Sequence, residues 1–140
     1  MESSPTFIDG QNDAGTRGSD TRTGGIQVRV KPEFLPEHSD SDEKRWVFSY
    51  NIEIINHDDQ AWTLQSREWT IIDGEGERHE VRGPGVVGLQ PEVEPTGSFA
   101  YSSYCPLPTP WGTMEGRYRF SNASGEELVA EIGRFFLVQG

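Results

Sequence analysis

Apolar residues in this chain recur at every second position, and nowhere at the three-to-four spacing sustained by a helix. Trp46, Phe48, Tyr50, Ile52 and Ile54 keep that period without a break. Successive side chains on a strand point to opposite faces, so such a run buries one face and wets the other. Ile26, Val28 and Val30 repeat the pattern against Gln27, Arg29 and Lys31, and Met114, Tyr118 and Phe120 repeat it against Glu115, Arg117 and Arg119. Leu128, Ala130 and Ile132 give the last alternation, which Gly133 breaks before Phe135-Phe136-Leu137-Val138. The Trp46 run is the most regular and predicts a central strand.

Between the runs lie turn signals: His57-Asp58-Asp59-Gln60, Asp73-Gly74-Glu75-Gly76, and Asn122 to Gly125. Trp62 and Leu64 set one parity while Trp69 and Ile71 set the other. One extra residue between Ser66 and Glu68, a β-bulge, returns both pairs to the core face. Glu77 to Arg82 reads as a short polar edge strand, and Phe99 to Ser103 as another strand. Seven or eight short strands so punctuated predict an all-β, antiparallel β-sandwich.

Bulk properties narrow the function classes. At 140 residues, 33% of them apolar, the chain holds one ordinary domain. Its net charge of −11 opposes nucleic acid and anionic membranes and favours basic proteins or cations as partners. Cys105 is the single cysteine, which excludes an internal disulfide and fits a reducing compartment. No apolar stretch approaches the ~20 residues of a membrane span, and the N-terminus lacks a signal pattern, so a cytoplasmic location is expected. Residues 1–23 have only Phe7 and Ile8 to bury and are expected to form a disordered tail ahead of a domain over 24–140.

The chemistry-bearing candidates are few. Gly83-x-Gly85-x-x-Gly88 has the spacing of a dinucleotide loop, which needs a helix N-terminus behind it. Here Pro91 and Pro95 follow instead, and Glu75, Glu77, Glu80, Glu92 and Glu94 outnumber Arg78 and Arg82. Phosphate binding through Gly83, Gly85 and Gly88 is therefore the weaker reading, against glycines that shape a loop. A divalent cation is the one cofactor the ligand types suit. His79 and Glu80 alternate on a strand, whereas a turn lets His57, Asp58 and Asp59 converge, so these three are the metal candidates against a solvated turn. The His38-to-Glu43 run is a charged connection. Cys105 has no histidine near it in sequence and reads as a structural thiol. No acid, base and nucleophile set is visible, so no catalytic residue is assigned and the chain is not expected to be an enzyme.

Trp111, between Pro110 and Gly112, is either an exposed anchor or a plug for the sandwich end. The glycine loop and the Pro106–Met114 segment both flank the Phe99 strand. If they meet, Val86, Val87, Pro110 and Trp111 form an apolar docking patch for a protein partner, rimmed by Glu92, Glu94 and Glu115.

Several separated motifs carry a family likeness: Tyr50-Asn51-Ile52 to Asn56, Trp69 before the Asp73 turn, Gly83-Pro84-Gly85-Val86-Val87-Gly88, Gln90-Pro91, Ser98-Phe99 with Tyr101, and Pro106-Leu107-x-Thr109-Pro110-x-Gly112-Thr113-Met114-x-Gly116. Together, over roughly residues 24–138, the chain resembles the ApaG family. The resemblance implies a fibronectin type III or immunoglobulin-like sandwich, a role in docking other proteins, and a link to cobalt and magnesium homeostasis. Tyr104 departs from it, since the family commonly has glycine there. A backbone with positive φ would strain a tyrosine at that position.

Overall fold

The computed structural model describes residues 17–140. Nine antiparallel strands lie among them: β1 (Ser19–Thr23), β2 (Ile26–Phe34), β3 (Trp46–Asn56), β4 (Trp62–Asp73), β5 (Arg78–Pro84), β6 (Glu92–Val93), β7 (Ser98–Leu107), β8 (Trp111–Ser121) and β9 (Glu127–Val138). One sheet has the order β1-β2-β3-β7, and the other β5-β4-β8-β9 with β6 paired to the start of β4. Two 3₁₀ turns, Pro36–His38 and Ser41–Glu43, lie in the connection between β2 and β3. None of the helices is long and apolar enough to cross a membrane among the described residues.

The alternating faces meet as expected. Ile26, Val28, Phe48, Ile52 and Ile54 of one sheet pack on Leu64, Trp69, Tyr118, Phe120, Phe135 and Leu137 of the other. Trp69 stands edge-on to Tyr50, Tyr118 and Phe135, with ring centroids 5.4, 6.4 and 5.8 Å away. Such tilted contacts set the positive ring edges against negative faces.

The β4 bulge falls two residues earlier than expected, where the register with β8 shifts between Leu64 and Ser66. A second irregularity, between Met114 and Gly116, seats Gly133 and Arg134 opposite a single residue of β8. It restores Phe135 and Leu137 to the core.

Two other expectations are revised. The strand count rises to nine because Glu92–Val93 pairs with β4 and because Ser19–Thr23, placed in the tail by its polarity, pairs with β2 from Ser19↔Val30 to Thr23↔Ile26. An edge strand needs backbone partners more than apolar side chains, so composition hides it. The rest of the expected tail, residues 1–16, lies outside the described residues. The strand beginning at Ser98 also runs past Ser103 to Leu107, leaving only Pro108 to Pro110 as the connection to β8. Tyr104 accordingly sits in extended backbone and carries no positive-φ strain.

One flank of the sandwich is closed. There β1 and β2 lie against β9, and the Glu131 amide donates to Thr23 Oγ1. At the other flank β7 and β5 are the last strands of their sheets, and they stand apart.

Candidate functional site

The gap between β7 and β5 forms a cleft of about 440 Å³. Its walls follow from register. Arg67, Trp69 and Ile71 of β4 pair directly with Gly83, Val81 and His79 of β5, so all six share the inward face. From the other sheet come Tyr50 of β3 and the Ser103–Leu107 stretch of β7, and Pro108 and Met114 complete the lining. Nothing stands opposite the inward face of β5. Val81 is therefore 40% exposed, although its parity matches that of buried Trp69.

Arg67 is the residue that sequence pattern missed. The bulge at Gln65 turns it to the same face as Trp69, where an arginine is unexpected. Its Nη1 donates to the carbonyl oxygens of Pro84 and Gly85 at 3.0 and 2.9 Å. Nε and Nη2 have no partner among the described residues, and no carboxylate there lies within ion-pairing distance. A Cβ on Gly83 would come within 3.0 Å of that guanidinium, so the first glycine of the motif makes room for Arg67.

The buried thiol and phenols near it are held neutral. Burial pushes the Cys105 thiol up to about 12. Desolvation likewise raises the Tyr50, Tyr101 and Tyr118 phenols, while the Tyr101 and Tyr118 hydroxyls bond to each other. A thiol shifted this way has little thiolate at neutral pH. We expect Cys105 to react with an aromatic disulfide reagent far more slowly in the folded protein at pH 8 than in urea. Equal rates would contradict its burial.

The glycine loop is structural in its bonding. The bulged Gln65 carbonyl accepts the Gly85 N–H and the Gln90 side-chain amide, and Val86 and Leu89 bond reciprocally across a two-residue turn. These bonds occupy the amides of Gly85, Val86 and Leu89. The loop joins β5 to β6 where the edge of β4 changes partner, and no helix follows. Gly85 adopts φ +60° and leaves no room for a Cβ, which would meet the Leu89 carbonyl oxygen. Val87 and Gly88 both have positive φ, at 43° and 79°, as a type I′ turn requires. A β-branched residue is strained there. Val87→Asn should therefore stabilise the protein by about 1 kcal/mol, read as a higher urea midpoint. An unchanged or lower midpoint would refute the strain.

The Val86, Val87, Pro110 and Trp111 patch is not assembled. Val86 is buried in the core, and the glycine loop is bonded to Gln65, near the start of β4. Trp111 lies at the other end of β4, its indole over Gly74, where Thr109 Oγ1 accepts the Gly74 N–H and donates to the Trp111 carbonyl. Eight or nine strand residues separate the two places, about 25–30 Å. Trp111 is 48% exposed, and its neighbours on the outer face of the sheet are Val138 and Phe136 of β9, not the glycine loop.

His57, Asp58 and Asp59 do share a turn, but the His57 and Asp58 side chains are engaged with other partners. His57 Nε2 bonds Gln27 Oε1 at 2.7 Å. Asp58 accepts from Trp62 Nε1 and from the Asp59 amide, and these bonds hold its carboxyl below the usual range. Among the described residues no three or more His, Cys, Asp or Glu side chains are grouped as a metal site.

A family profile described as the ApaG domain matches residues 36–122. A Protein ApaG from Methylobacterium sp. (strain 4-46) is 51% identical over 115 residues, covering 82% of this chain and 88% of that protein. A Protein ApaG from Mesorhizobium japonicum is 48% identical over the same coverage. Among solved structures, an ApaA protein from Bordetella pertussis superposes with a TM-score of 0.79 at 42% identity, covering 81% of this chain and 93% of that one.

Proposed function

This chain belongs to the ApaG family, and from that premise we propose that it is a non-catalytic β-sandwich that docks another protein. One observation carries the reading. The open flank presents a cleft in which the Cys105 thiol and the Tyr50 phenol are held protonated by burial, with Arg67 fixed by backbone carbonyls. A thiol and a phenol so held supply neither nucleophile nor base, because general-base and nucleophilic chemistry need groups poised near neutral pH. The scaffold supports this reading too. Paired strands and a bonded glycine loop lose little entropy when a partner binds.

The link to cobalt and magnesium homeostasis then runs through the partner. A direct cation-binding role at that turn would compete with bonds already made, His57 to Gln27 of β2 and Asp58 to Trp62.

Affinity capture on the immobilised full-length chain tests the reading, provided each captured protein is purified and returned to the free chain in solution. We expect at least one to form a complex of fixed stoichiometry at micromolar concentration. If none rebinds after purification, the docking function falls.

A further inference from the structure

Besides the two-residue β6, which carries Glu92, four strands end the sheets, and three of them carry charges: Asp20 and Arg22 on β1, Arg78, Glu80 and Arg82 on β5, and Glu127, Glu131 and Arg134 on β9. Charges on an edge oppose strand addition. Ser98–Leu107, the whole of β7, has none.

The free side of β7 can be assigned residue by residue. The Asn56 amide donates to the Gly97 carbonyl, whereas Val47 bonds away from β7, its carbonyl accepting from Leu35 and its amide donating to Ser39 Oγ. Antiparallel pairs alternate, so Tyr101, Ser103 and Cys105 bond β3. Ala100, Ser102 and Tyr104 then turn their N–H and C=O groups to the open edge. Pro106 falls on that open side, where its missing N–H costs no pairing.

A strand laid along this edge would cover the inward face of β5, and with it Val81, His79 and the unpaired side of Arg67. We propose that β7 takes up an extended segment of a partner protein as a fifth strand of its sheet, with one carboxylate of that segment set against the Arg67 guanidinium. This rests on the docking reading and names its surface. Backbone bonds supply affinity in such strand addition, and inward side chains supply selectivity. Arginine and carboxylate pair through two parallel bonds, which Nε and Nη2 can provide. A net charge of −11 repels a polyacidic segment, so the single carboxylate belongs in neutral or basic flanks. A second copy of this chain fits less well, because its own β7 has no carboxylate and would leave Arg67 without a counter-charge.

The test is selection of peptides from a displayed library of random twelve-residue sequences on the full-length protein. We expect selected peptides to share one acidic position between apolar or β-branched neighbours. Replacing that acid by its amide should weaken binding about tenfold or more, and the difference should vanish in Arg67→Gln. Ser102→Pro, which removes an outward N–H from an edge position while leaving the β3 pairing intact, should abolish binding and keep the melting temperature.

Peptides without an acidic position, no selected peptide at all, or full binding by Ser102→Pro would each overturn the proposal. So would a free protein that is dimeric through β7, or binding that appears only when residues 1–16 are removed. Should Ser102→Pro still bind a purified partner as the unaltered chain does, the docking function survives and this surface does not.

Discussion

Trp69→Ala should destabilise the protein by about 3–5 kcal/mol, while Trp111→Ala should cost under about 1 kcal/mol. Both residues are strand tryptophans on the same sheet, but their surroundings differ. Trp69 is 3% exposed and stands edge-on to three aromatic rings drawn from β3, β8 and β9. Truncating it opens a void where both sheets meet, and rings fixed in two separate sheets cannot collapse into that space. Trp111 rests one face on Gly74 and leaves the rest of its indole in water. Urea unfolding of the two variants, followed by tyrosine fluorescence, compares them directly. Equal losses would mean that the core is not centred on Trp69.

Asn56→Ala should cost about 2–4 kcal/mol without removing any apolar area. Asn56 is fully buried at the end of β3. Its Nδ2 donates to the Gln60 and Val93 carbonyls at 2.8 and 3.0 Å, and its Oδ1 accepts the Asp58 amide at 2.8 Å. Alanine keeps the strand and removes the side-chain partner of three backbone groups at once. Calorimetry of Asn56→Ala beside Asn51→Ala, an exposed position on the same strand, checks this. A loss at Asn56 no greater than at Asn51 would show that water replaces the side chain.

The sequence made the sandwich legible because a two-residue period states a face directly. Trp46 to Ile54 needed no other information to be read as the middle of a sheet. The bulge in β4 was visible in the parity change from Leu64 to Trp69, yet its position was not, since the bonds that place it at Gln65 come from Gly85 and Gln90 far along the chain. β1 escaped notice because its stability lies in backbone pairing and in Thr23 reaching β9. The docking patch failed for a related reason. Two segments can flank one strand in sequence and still lie at opposite ends of a neighbouring strand, as the glycine loop and Trp111 do on β4. Arg67 was hidden by its own bulge. Counted from Leu64 its parity is outward, and only the inserted residue turns it into the cleft.

The open edge of β7 carries the account, and amide hydrogen exchange on the free, full-length protein reads it without any partner. The amides of Ala100, Ser102 and Tyr104 should exchange near the rate of an unstructured chain. Those of Tyr101, Ser103 and Cys105, bonded to β3, should be protected to the level of the core. Alternating protection along one strand is the predicted result. Uniform slow exchange from Ala100 to Cys105 would show that the edge is already covered, and would contradict a docking surface there.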